Sequence, residues 1–250
     1  MDNNKTKVIV LAAGQGKRLH SEEHDAPKVM RLADGRPLLS YVLSALDFIP
    51  PEDIVIVVGY KRDQVERAFP DYCFAVQEEQ LGTGHAVKAA LTTLPDFNGN
   101  LLVCCGDMPL IKRETYSELL NSHGDNACTI LSGESDDALT YGRIVRGENN
   151  EFVKIVEHKD CTDEERAITE LNSGVYVFSA DTLRATLPQL GRGNAQGEEY
   201  LTDVPKLALG LGMTVGVCRV FLGNQMIGVN TPEQLEDVER IIREEKLTNV

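Results

Sequence analysis

The sequence predicts an α/β fold: a mostly parallel central sheet with helices on both faces, extended in its second half by mixed or antiparallel sheet. Three observations carry this expectation. Through the first half, short β-rich runs alternate with segments of helical periodicity. Those runs are apolar at nearly every position, which requires burial on both faces and so a sheet held between two layers of helices. From about Asn126 the strand-like runs crowd together, joined by turns rather than helices.

In chain order, Lys7–Ala13 reads as a strand, and "RPLLSYVLSALDF" (Arg36–Phe48) has its apolar residues at helical spacing. "DIVIVVG" (Asp53–Gly59) is a strand followed by a polar helix over Arg62–Phe69. "CFAVQ" is strand-like, "TGHAVKAALTTL" helical, and "NLLVCCGD" (Asn100–Asp107) a strand. The later runs "ACTILSG", "GRIVR", "EFVKIVE", "ELNSGVYVF" and "TVGVCRV" are strands, with a turn at Gly147–Asn150. A terminal helix follows over residues 231–247, where Thr231 is a candidate N-cap, Pro232 suits the first helical position and Gln234 completes a capping box. No Pro/Ser-rich linker and no internal repeat divides the chain, so a single domain over 1–250 is expected.

The 250 residues, 42% hydrophobic and 26% charged, have the profile of a globular protein. A formal net charge of −14 argues against nucleic acid as a partner, because binding a phosphate backbone needs a basic surface. An anionic ligand would have to be met by a local reversal of that sign. The six cysteines show no CxxC spacing and read as small buried hydrophobes in a reducing compartment. "MDNNKTK" lacks the apolar core of a signal peptide, and no apolar stretch is long enough to span a membrane. A cytoplasmic protein is expected.

Cations do concentrate after the first strand, in "VIVLAAGQGKRLHSEEHDAPKVM" (Val8–Met30). A Walker A loop is excluded, since Gly16-Lys17 is followed by Arg18, and a dinucleotide fingerprint is excluded by Leu19 at its third glycine position. What remains is Gly14-x-Gly16-x-Arg18 and then Pro27-Lys28 at the carboxyl end of a strand, where open α/β sheets bind ligands. Glycines let backbone N–H groups approach an anion, and Arg and Lys supply the charge that phosphoryl transfer needs.

With "LAAGQGKRL…APKVM" stand, in order, "QEEQLGTGHAV" (Gln77–Val87), "CCGDMPLI" (Cys104–Ile111), "YGRIVR" (Tyr141–Arg146), "IVEHKD" (Ile155–Asp160), "ELNSGVYVF" (Glu170–Phe178), "QGEEYLTDV" (Gln196–Val204) and "GVNTPEQL" (Gly228–Leu235). Together these closely resemble the uridylyltransferase half of the bacterial bifunctional UDP-N-acetylglucosamine pyrophosphorylase/glucosamine-1-phosphate N-acetyltransferases, from about Lys7 to Leu235. L-A-A-G-x-G-x-R alone marks the broader sugar-nucleotidyltransferase family. The resemblance implies a Rossmann-like nucleotide-diphospho-sugar transferase fold, with a nucleotide-binding first half and a sugar-binding part over roughly residues 126–230. It implies conversion of UTP and N-acetylglucosamine 1-phosphate to UDP-N-acetylglucosamine and pyrophosphate, with small-molecule substrates as the partners.

By the same resemblance, Leu11, Ala12, Ala13, Gly14, Gly16 and Gly106 cradle the nucleotide. Gln77, Gly82 and Thr83 choose the base. Arg18 stabilises the triphosphate through the transition state, and Lys28 holds the phosphates. Asp107 and Asn230 bind Mg²⁺. Gly142, Glu157 and Asn172 recognise the sugar, with Tyr200 and Thr202 lining the same pocket. His85 and His158, although inside motifs, read as structural. Cys105 departs from the family, which often has Tyr there. The bifunctional enzymes continue into a left-handed β-helix of hexapeptide repeats that this sequence does not contain, so acetyl transfer is not expected. Whether the chain is a natural single-domain enzyme or a piece of a longer one stays open. So do a uridylyl- or thymidylyltransferase of another sugar 1-phosphate, such as glucose 1-phosphate, and a non-catalytic relative that binds nucleotide sugars.

Overall fold

The computed structural model of the chain describes residues 5–19, 24–135 and 140–248. Strand β1 (Thr6–Leu11) leads to a ribbon of β2 (Leu32–Ala33) and β3 (Arg36–Pro37), then α1 (Leu38–Ala45), β4 (Ile54–Val58), α2 (Arg62–Ala68), β5 (Cys73–Val76), α3 (Thr83–Thr92) and β6 (Asn100–Cys105). After α4 (Arg113–His123) come β7 (Cys128–Glu134), β8 (Arg143–Arg146), β9 (Phe152–Val156), the single turn α5 (Asp163–Arg166) and β10 (Glu170–Ser179). The chain ends through α6 (Ala180–Thr186), α7 (Val204–Gly210), β11 (Val215–Arg219) and α8 (Pro232–Thr248). No helix among the described residues is long and apolar enough to cross a membrane.

Nine of these strands share one sheet, in the order β11-β7-β10-β6-β1-β4-β5, with β8 on β10 and β9 on β8. Strands β6, β1, β4 and β5 are parallel, as are β11 and β7, while β10 runs antiparallel to both β6 and β7. The strands of the second half therefore extend the first sheet. The continuous apolar runs are explained by alternation across it. Val8, Val10, Ile54, Ile56, Leu102 and Cys104 join a core with Leu39 and Val42 of α1 and Tyr116 and Leu119 of α4. Ile9, Val55, Val57, Leu101 and Val103 join a core on the other face with Ala86, Val87 and Ala90 of α3 and Leu183 of α6.

The structure corrects the sequence reading at several points. Arg36 and Pro37 belong to the ribbon and not to α1, because Asp34 (φ 47°) and Gly35 (φ 77°) form the left-handed two-residue turn that pairs Ala33 with Arg36. Helices α4, α5, α6 and α7 are additions to the elements the sequence predicts. Cys73 is exposed and Cys105 half-buried, unlike the other four cysteines. The terminal capping box forms as expected: Gln234 N–H donates to Thr231 Oγ1 at 3.3 Å and Thr231 N–H to Gln234 Oε1 at 3.1 Å.

Two features position the site. From β1 the chain moves outward to β4 and β5, then returns to place β6 on the other side of β1. This reversal of strand order opens a crevice at the carboxyl ends of β1 and β6, where Leu11 lies opposite Cys105. The second feature is a bulge in β10: Asn172 pairs with Ser132 and Tyr176 with Ile130, so Ser173–Val175 oppose Leu131 alone. Beyond it β10 leaves β6 and takes β8 as a neighbour, which opens the sheet beside Cys105.

Candidate active site

The loop leaving β1 keeps Ala12 and Ala13 buried and brings Gly14 to the surface. The Gln80 carboxamide donates to the Ala13 carbonyl at 2.7 Å. Past Gly16 a short turn closes with Leu19 N–H on the Gly16 carbonyl at 3.0 Å. Leu19 is fully buried in a third core with Ala33, Leu38, Val229, Val238, Ile241 and Ile242, beneath α8. Arg18, one residue earlier, is thereby held at the crevice mouth, where its guanidinium donates to Asn230 Oδ1 at 3.2 Å. Lys28 opens the next turn and donates to the same oxygen at 2.9 Å while forming an ion pair with Asp107. Asp107 and Asn230 are joined through the backbone, Val229 N–H donating to the Asp107 carbonyl at 2.9 Å. Four sequence-predicted residues from three separate chain segments thus meet.

Two adjoining clefts flank this cluster. The first, about 260 Å³, is lined by Leu11–Gly14, Lys28, Gln77, Gly82, Thr83 and Asp107, and also by Gln80 and Glu198, which the sequence reading missed. The second, about 180 Å³, holds Gly142, Glu157, Asn172, Thr202 and Asn230. Leu11, Thr83, Cys105 and Asp107 line both, so the clefts meet there.

Within the first cleft, the Gln77 amide nitrogen reaches the Gly82 carbonyl and His85 Nδ1, each at 3.1 Å. With both N–H groups so directed, the side chain presents its oxygen as an acceptor. His85 serves to orient Gln77. The wall between the clefts is a clamp on residues 199–201. Gly84 N–H donates to the Glu199 carbonyl and Glu199 N–H to the Leu81 carbonyl, each at 2.8 Å, and Leu201 N–H donates to Thr83 Oγ1 at 3.0 Å. Lys88 and Arg192 hold the Glu199 carboxylate from either side.

In the second cleft, Asn172 donates to the Tyr176 hydroxyl at 2.7 Å and its oxygen accepts from Gly174 N–H at 3.3 Å, so the β10 bulge fixes the carboxamide. Thr202 Oγ1 donates to Glu157 Oε1 at 3.0 Å. Burial pushes the Glu157 carboxyl above its ordinary range, and Asp160, Asp203 and Glu198 push the same way against the Thr202 hydrogen bond. The Tyr141 hydroxyl donates to the Met226 carbonyl and accepts Gly228 N–H at 2.9 Å, tying the loop before β8 to the segment that carries Asn230. Tyr141 and Tyr176 line this cleft and were missed, although both sit inside the quoted motifs.

Other expected positions fall elsewhere. Tyr200 is not among the lining residues of either cleft. It is 6% exposed, and its hydroxyl lies 3.2 Å from an Asp160 carboxylate oxygen and 3.0 Å from the Gln196 amide, a bracing position behind the wall. Gly106 also lies outside both linings: its N–H is committed to the Leu11 carbonyl at 2.9 Å, so it closes the β1–β6 seam. Gly16 and Arg18 stand at the rim and line neither cleft.

Two stability experiments follow from this geometry. A Cβ on Gly82 (φ 115°) would stand 2.6 Å from the Glu199 carbonyl oxygen and 2.7 Å from its nitrogen, whereas one on Gly14 would meet nothing within 4 Å. In urea unfolding, Gly82→Ala should lose about 2–4 kcal/mol, and Gly14→Ala should stay within about 0.5 kcal/mol of the parent. The second concerns Glu157. Its raised folded pKa means that its ionised form costs stability, a cost absent below the ordinary carboxylate pKa and growing as pH rises through the folded value. Glu157→Gln keeps the Thr202 contact, so its melting temperature should exceed the parent's at pH 8, with the difference vanishing below about pH 4.

Residues 8–202 match the MobA-like NTP transferase domain. The chain is 41% identical over 239 residues to the bifunctional protein GlmU of Streptococcus mutans, covering 94% of this chain and 51% of that protein. It is 44% identical to that of Nocardia farcinica, covering 94% and 50%, and 41% identical to that of Bordetella petrii, covering 96% and 53%. The chain thus spans about half the length of the curated relatives it matches. A match over most of the chain, on a crevice framed by the glycine-rich loop and the Asp107 strand end, puts the protein in the MobA-like NTP transferase domain family.

Proposed function

We propose that the protein transfers the uridylyl group of UTP to N-acetylglucosamine 1-phosphate, forming UDP-N-acetylglucosamine and pyrophosphate. The observation that carries this reading is the meeting of two clefts at Leu11, Thr83, Cys105 and Asp107, with Lys28 and Arg18 beside that seam. One cleft would take the nucleotide and the other the sugar. A phosphate oxygen of the sugar phosphate attacks the α-phosphorus as the bond to the departing pyrophosphate breaks, so the nucleophile is already ionised and no general base is needed. Leu11–Gly14 supply close backbone contact, Arg18 and Lys28 bind and neutralise phosphate charge, and the Gln77 oxygen is suited to accept the N3–H of uracil. Glu157, Asn172 and Gly142 are disposed to hold sugar hydroxyls and the acetamido group.

A divalent cation, Mg²⁺ in this reading, fits Asp107 and Asn230. Both offer hard oxygen donors, and a single ammonium, that of Lys28, already reaches both side chains. Among the described residues no group of three or more His, Cys, Asp or Glu side chains could hold a metal, so most of its shell would come from phosphate oxygens and water. When bound, the ion supplies charge neutralisation on the phosphates.

A panel of nucleoside triphosphates against sugar 1-phosphates, read by pyrophosphate release, tests the assignment. UTP with N-acetylglucosamine 1-phosphate should have the highest kcat/KM, and a preference for glucose 1-phosphate would replace the sugar assigned here. Arg18→Ala should lower kcat by roughly 10²–10³ while the KM for UTP changes far less, because charge builds on the leaving pyrophosphate mainly in the transition state. Arg18→Lys should recover part of the loss. Unchanged kcat in the alanine variant would remove Arg18 from the reaction.

A further inference from the structure

The side chains of Asp107 and Asn230 are already engaged by cationic groups of the protein itself. Lys28 pairs with the Asp107 carboxylate and donates to Asn230 Oδ1 at 2.9 Å, and Arg18 donates to that same oxygen at 3.2 Å. We propose that Lys28 is a resident counter-ion that competes with a divalent cation for Asp107 and Asn230, so that the metal binds well only together with the nucleotide, whose phosphates draw Lys28 away. This rests on the assignment of Asp107 and Asn230 in the preceding subsection.

The balance of interactions supports an order of arrival. Both lone pairs of the Asn230 carbonyl oxygen have a donor, and the Lys28 and Asp107 side chains are only 16% and 17% exposed, so solvent screens this pair weakly. A metal ion arriving alone would have to displace an ammonium, sit beside a guanidinium and gain two protein ligands. A triphosphate changes each term: it offers oxygen ligands to the metal and anionic acceptors to Lys28 and Arg18. The component with reach to move is the Lys28 side chain, the longest of the three, although its backbone too is held, its carbonyl accepting Arg31 N–H at 3.1 Å. Asp107 and Asn230 are pinned through backbone hydrogen bonds, from Val229 N–H to the Asp107 carbonyl and from Asn230 N–H to Gln234 Oε1 at 2.8 Å. The flexible Lys28 chain, by contrast, lines the nucleotide-side cleft and can swing toward phosphates there.

Binding of Mn²⁺ to the full chain, followed by electron paramagnetic resonance without substrates, tests this. Lys28→Met and Lys28→Ala remove the charge and should each bind Mn²⁺ roughly tenfold more tightly than the parent, the scale of a lost charge-assisted contact. Lys28→Arg keeps the cation and should not gain, and adding Asp107→Asn to Lys28→Met should abolish the gain. Unchanged or weaker affinity in both neutral variants overturns the proposal, as does a gain that survives Asp107→Asn. If the parent fails to bind Mn²⁺ in an Asp107-dependent manner even with UTP present, the underlying site assignment fails instead, whatever the Lys28 variants do alone.

Discussion

The register of β1 against β6 is the constraint on which the site depends. Parallel strands leave a sheet at the same end, and with Leu11 opposite Cys105 the loops that follow must part around a shared crevice. The Gly106 N–H on the Leu11 carbonyl carries the pairing one residue beyond β6, so Asp107 departs from a fixed point. A Cβ at Gly106 would stand 3.1 Å from Val29 and 3.3 Å from the Leu11 carbonyl oxygen, so any larger residue would press on the seam at a position that lines neither cleft.

From that seam the site is stiffened by what lies next to its functional groups. Leu19 beside Arg18 and Val229 beside Asn230 are both fully buried in the core under α8. The capping residue Gln234 accepts from the backbone of both Asn230 and Thr231, so the start of a helix also orients a proposed metal ligand. At the second cleft, the β10 bulge both opens the sheet and fixes the Asn172 carboxamide. For Arg18 and Asn230 these contacts fix the backbone that carries the group, and for Asn172 they fix the side chain itself.

Charge is arranged on the same local scale. The chain carries a net charge of −14, yet the loop after β1 brings Arg18 and Lys28 together on Asn230. Lys28 is paired with the Asp107 carboxylate, and Arg18 and Lys28 share the Asn230 side-chain oxygen as acceptor. Glu157 shows the opposite arrangement: burial disfavours its ionised form and the Thr202 hydroxyl offsets this, so a carboxylate at this position comes at some cost to the fold.

The sequence by itself determined the parallel core, because double burial demands unbroken apolar runs such as Ile54–Val58, and it determined the start of α8, because the Thr231–Gln234 capping box is a contact between near neighbours. Its motifs also named the loop, the Asp107 strand end and the 228–235 segment. The Asp34-Gly35 hairpin was equally local and legible, but helical periodicity across Arg36 masked it. Only the tertiary structure decided the rest, since it depends on long-range register and on which neighbour claims each polar group. That Tyr200 braces Asp160 instead of lining the cleft, that Gly106 spends its N–H on β1, and that Tyr141 ties the loop before β8 to the Asn230 segment are all contacts between distant segments. The meeting of Arg18, Lys28, Asp107 and Asn230 on one set of oxygens is of this kind as well: more than 200 residues separate Arg18 or Lys28 from Asn230, and only the β1–β6 crevice with α8 packed beside it brings them within hydrogen-bond reach.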